Sequence, residues 1–108
     1  MRTLGLVVLF AVAAPAFAAD PPYPMMERAV VTPIAPFFPE AARARGVRNA
    51  VVQLELQIGP DGIVQNLHVV SSGGAEFDDA ALVVGRLTVF APEKKITLQR
   101  FKVTFDLR

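Results

Sequence analysis

Cysteine and tryptophan are absent from this chain of 108 residues, and histidine occurs once, at position 68. Without cysteine there can be no disulfide, no thiol nucleophile and no thiolate metal site, so the folded part must stand on packing alone. Charge of one sign is also missing. The 11 Lys and Arg residues face 10 Asp and Glu residues, a formal net charge of +1, which argues against nucleic acid or an anionic membrane as the main partner. The length allows one small domain.

The only long apolar run lies at the N-terminus. Arg2 precedes an uninterrupted apolar stretch over residues 4–14, and Ala16-Phe17-Ala18 supplies a small-x-small cleavage site. This is the pattern of a secretory signal peptide over residues 1–18, cut after Ala18, and it is short for a membrane span. No cysteine follows the cut, which excludes a lipoprotein. Removal of Arg2 with the signal leaves 10 basic against 10 acidic residues, a net charge of zero. An exported domain without disulfides suits a bacterial periplasm, with no membrane contact after cleavage.

Six of the nine prolines fall between positions 21 and 39. Residues 19–36 therefore read as a stiff, extended lead-in, reaching roughly 50 Å at ~3.1 Å per residue over residues 20–36. A domain over residues 37–108 follows. Pro39 and Gly46 bracket a short helix, with Glu40 in its first turn and Arg43 and Arg45 near its end. Two turns are unstable in isolation, so packing must hold them, with Phe37 and Phe38 as the expected anchors.

Two strands flank Gly59-Pro60-Asp61-Gly62. In the first, Val52, Leu54, Leu56 and Ile58 share one face, the period of a half-buried strand. Pro-Asp-Gly supplies the turn. The second, over residues 63–70, alternates less cleanly, which predicts a bulge near the turn. A helix is then expected over residues 76–87, burying Phe77, Ala80, Ala81 and Val84, with Glu76, Asp78 and Asp79 at its N-terminal end and Gly85 weakening its last turn. The last strand spans residues 96–107. Phe101, Val103, Phe105 and Leu107 point one way, and Arg100, Lys102, Thr104 and Asp106 the other. The expected fold is α+β, ordered α-β-β-α-β: a three-stranded antiparallel sheet, first strand central, with two helices on one face.

No enzymatic constellation appears, and no cofactor or metal is expected. His68 reads as a solvated strand residue. Asp78 and Asp79 complement the helix start, Ser71 and Ser72 have no base in sequence reach, and two glycines before acidic residues make a poor anion cradle. What remains is backbone. The last strand is an edge, a row of unpaired N–H and C=O groups. Its Arg100 and Lys102, with Lys94 and Lys95 before it, either guard solubility or steer an acidic or polar peptide that adds as a further strand. On the second reading the binding edge is Thr97, Gln99, Arg100, Phe101, Lys102, Val103 and Thr104.

Phe38-Pro39-Glu40-Ala41-Ala42-Arg43-x-x-Gly46, then Gly59-Pro60-Asp61-Gly62, Ser71-Ser72-Gly73 and Asp78-Asp79-Ala80-Ala81-Leu82 together resemble the C-terminal domain of TonB-family energy transducers over residues 36–108. The resemblance implies the same fold and a protein partner. In that family the last strand pairs with a short segment of an outer-membrane receptor, the TonB box, and energy arrives through an N-terminal membrane anchor and a long proline-rich linker. This chain departs in three places. Phe38-Pro39 stands where the family usually has Tyr-Pro, and Thr88, Phe90 and Pro92 match a Trp-x-Phe-x-Pro pattern without its tryptophan. A cleaved signal would leave no anchor. The expectation is thus a periplasmic module that binds a TonB-box-like receptor segment or another envelope protein by strand addition. The alternatives are a minimal membrane-anchored transducer and a structural homodimer pairing through the same edge.

Overall fold

The alternation before the Pro-Asp-Gly turn buries one side of the first strand, as its period requires, while the second strand is at most half-buried. In a computed structural model that describes residues 23–107, Val52, Leu54, Leu56 and Ile58 are all fully buried. The expected signal segment and its cut after Ala18 lie outside the described residues. The elements are β1 (Val30–Thr32), α1 (Glu40–Ala44), β2 (Asn49–Ile58), β3 (Val64–Ser71), α2 (Ala75–Leu87), β4 (Val89–Phe90) and β5 (Thr97–Asp106). The main sheet has the order β3-β2-β5 with both pairings antiparallel, so β2 is central as its sequence implies.

The two helices close the apolar face of this sheet. Phe77, Ala80, Ala81 and Val84 of α2 and Ala42 of α1 join the β2 residues, Val103 and Phe105 in one core. Phe77 sits at its centre. Its ring meets Phe38 edge-on at 5.3 Å between centroids and Phe105 at 5.1 Å, a geometry that adds quadrupole attraction to burial. Phe38 is therefore an anchor for α1, whereas Phe37, expected to share that role, is 60% exposed. Arg45 just beyond α1 pairs with Glu76 in the first turn of α2, tying the two helices together. The Arg45 guanidinium holds the Glu76 carboxyl below the usual glutamate range.

Gly85 has a packing role that its low helix propensity hides. A Cβ there would lie 2.8 Å from Leu54 Cδ1 and 3.1 Å from Leu67 Cδ1. The missing side chain lets α2 settle closely onto β2 and β3, which outweighs a propensity cost of about 1 kcal/mol.

The irregular second strand is bulged. Gln57 pairs with Asn66 but Ile58 with Val64, so Gln65 is an extra residue beside the turn, and Val70 is a second one farther along. The turn itself is doubly bonded, with the Gly59 N–H donating to Ile63 O and the Gly62 N–H to Gly59 O, both at 2.9 Å. It is also clamped from outside. The Phe90 N–H donates to Gly62 O at 2.9 Å and the Glu93 N–H to Pro60 O at 3.0 Å.

That clamp belongs to a second, two-stranded sheet that the sequence does not announce. β4 pairs antiparallel with β1, with Val30 opposite Phe90. Phe90 is fully buried and meets Phe101 edge-on at 5.7 Å. Thr88, at the position of the missing tryptophan, is buried, and its hydroxyl donates to Val84 O at 2.7 Å to close the end of α2. Packing here needs no indole.

Candidate peptide-binding edge

The register of β5 against β2 runs without a break from Asn49 opposite Asp106 to Ile58 opposite Thr97. Successive residues of an antiparallel strand direct their backbone groups alternately to the two sides. The phase is fixed at Leu98, which turns away from β2. Its N–H donates to Pro24 O and its carbonyl accepts from the Met26 N–H, each at 2.9 Å. By the same alternation Arg100, Lys102 and Thr104 also direct N–H and C=O outward. Among the described residues, no strand pairs with that side of β5 beyond Leu98.

From residue 23 on, the segment before the first helix is laid on the domain. Met25 makes a parallel bridge to Leu98. Arg28 then turns inward and is only 5% exposed. Its Nε donates to Thr97 Oγ1 at 2.9 Å, Nη1 to Gly59 O and Ala91 O at 2.7 and 3.1 Å, and Nη2 to Ile58 O and Lys95 O at 3.2 and 2.9 Å. A guanidinium has five N–H donors, and each meets an oxygen. One side chain thereby fastens the hairpin turn, the β4–β5 connection and the start of β5. Its main chain is held as well, the N–H donating to Gln99 Oε1 at 2.9 Å and the carbonyl accepting from Gln99 Nε2 at 3.5 Å. Nothing in the sequence marks Arg28 beyond its being a charge just before Ala29-Val30-Val31, since its partners lie about 30 to 70 positions away.

The expected edge residues fall into three groups. Thr97 and Gln99 are buried and engaged by Arg28. Val103 is buried in the core and Phe101 half-buried at its margin. Arg100, Lys102 and Thr104 are exposed, with Arg100 opposite Glu55 and Lys102 opposite Gln53 on the polar face of the sheet. Beside the open stretch runs a shallow groove of about 210 Å³ lined by Ile34, Pro36, Val84, Phe101, Lys102, Val103 and Thr104. The arrangement offers evenly spaced backbone groups between an apolar groove and two cations. The other edge differs. Both bulges of β3 interrupt its ladder, and bulges are a common way to blunt a sheet edge.

Ser72, Asp78 and His68, weighed for chemistry, make structural contacts. The Asp78 carboxylate accepts from the Ser72 hydroxyl at 2.6 Å and from the Gly73 N–H at 3.0 Å, closing the loop before α2. His68 lies opposite Glu55, with Nε2 3.6 Å from its carboxylate. Among the described residues no cluster of His, Asp or Glu could hold a metal ion, and no helix is long and apolar enough to cross a membrane.

No curated protein matches the chain. Residues 34–107, well over half of it, match the family model described as the Gram-negative bacterial TonB protein C-terminal domain. The match takes in both helices, the three-stranded sheet and the open stretch of β5, and it begins at the groove residue Ile34. This chain belongs to the TonB C-terminal domain family.

Proposed function

We propose that this protein is a periplasmic interaction module that takes an extended segment of a partner as an added strand along β5, at Arg100, Lys102 and Thr104. The partner is an outer-membrane receptor segment of the TonB-box type or an equivalent segment of another envelope protein. The protein is exported by a signal peptide cut after Ala18, performs no catalysis, and accompanies or modulates TonB-type transport rather than powering it. The observation that carries the reading is the unbulged β5 edge, whose outward backbone groups stand open from Arg100 beside an apolar groove. Main-chain bonds supply affinity in strand addition, and alternate side chains supply selectivity. One face of an added strand would meet Ile34, Val84 and Phe101, and the other Arg100 and Lys102.

Lys102→Pro tests this directly. Position 102 directs its N–H away from β2, so proline removes an outward donor while sparing the inner ladder. Affinity for a synthetic TonB-box-like peptide, read by calorimetry, is expected to fall about tenfold or more, with folding stability changed by about 1 kcal/mol or less. Undiminished affinity in a folded variant would remove the edge from the mechanism.

A further inference from the structure

The same edge already carries a short segment of the chain's own, bridged at Leu98. We propose that residues 24–28 form an intramolecular strap that fills the first position of the β5 edge and limits how far a partner segment can extend along it. This rests on the strand-addition reading of β5. At Leu98 the strap takes the two backbone groups that an added strand would need.

The two ends of the strap are held very differently. Arg28 is buried and fixed through its side chain and through both bonds with Gln99. Met25 and Met26 are 57% and 36% exposed, so that end is held by partial apolar burial and the two bonds at Leu98, with no buried, fully bonded side chain like that of Arg28. A firm latch with a weakly held tip is a displaceable flap. Past Met26 the chain leaves the edge, and a shallow groove of about 290 Å³ lined by Met25, Met26, Glu27, Gln99 and Arg100 marks the junction. A partner segment of about five residues, the span of positions 100–104, fits beyond the strap. A longer one must run past Thr104 toward the end of β5, lift Pro24 and Met26 off Leu98, or bend away at Arg100.

Met26→Pro removes the N–H that bonds to Leu98 O while leaving the backbone extended and Arg28 in place. In protein expressed from the full chain, the Leu98 amide is expected to exchange slowly and those of Arg100, Lys102 and Thr104 quickly. In Met26→Pro, exchange at Leu98 should rise about tenfold or more, and a nine-residue TonB-box-like peptide should bind about five- to tenfold tighter, roughly the worth of the one net hydrogen bond that the strap loses. A five-residue peptide should bind both proteins alike. Unchanged exchange at Leu98 would overturn the strap, as would a nine-residue peptide that binds both proteins equally while shifting the Leu98 signal in each. If neither peptide binds either protein, the strand-addition reading fails, and the Leu98 exchange still decides whether the strap exists.

Discussion

Arg28→Ala is expected to destabilise the fold by about 3–5 kcal/mol, because it strands a set of buried acceptors at once. Four carbonyls and the Thr97 hydroxyl would each lose a donor, with Gly59 O keeping the Gly62 N–H, and a buried polar group left unpaired costs roughly 1–3 kcal/mol before water recovers part of it. The guanidinium charge is balanced there by carbonyl dipoles rather than by a carboxylate, so its removal leaves no stranded anion. A domain of this size holds about 5–15 kcal/mol in all, so the loss would be a large share. Lysine keeps the charge but not the planar fork, and Arg28→Lys should recover only part of it. Urea unfolding followed by circular dichroism measures both. A loss below about 1 kcal/mol for Arg28→Ala would mean that the strap and turn are held by something else.

Gly62→Ala should cost about 3 kcal/mol or more, for two reasons that act together. Gly62 has φ +88°, a conformation that penalises any Cβ, and a Cβ built there would lie 1.9 Å from Phe90 O. That overlap is with backbone, so no rotamer change relieves it, and the bond from the Phe90 N–H to Gly62 O would have to break. Gly46→Ala is the natural control. It shares the sign of φ (+86°) but has nothing within 4 Å of the added atom, so it should lose only the conformational part, about 1–2 kcal/mol. Comparable losses for the two variants would show that the clamp between turn and β4 contributes little.

The parts of this fold that are legible in the sequence are those set by local periodicity. Alternation over β2 and β5 and helical spacing at Phe77, Ala80, Ala81 and Val84 each identify a buried face, and the α-β-β-α-β order then places β2 in the centre. The doubled period around Gln65 signals its bulge. Adjacent Phe37 and Phe38 look alike in sequence, and only the position of Phe77 decides that one packs and the other does not. β1 and β4, three and two residues long, are too short to show any period. Gly85 reads as a helix weakness until the nearness of Leu54 and Leu67 explains it.

The candidate site is legible to the same depth. That the last strand is an edge follows from element order. Which part of that edge stands open depends on where residues 24–28 dock, and that docking is directed by acceptors scattered over the turn, the β4–β5 connection and Thr97. Proline content announces an extended lead-in but says nothing of what it lies against. The strap is therefore a tertiary fact, invisible to composition and periodicity alike.

The most direct measurement is an amide chemical-shift map of the isotopically labelled protein titrated with a TonB-box-like peptide. Saturable shifts concentrated at Arg100, Lys102 and Thr104, with smaller ones at Phe101 and Val103, are the expected result. Shifts concentrated between residues 63 and 70 on β3, or none that saturate on either edge, would contradict strand addition at β5.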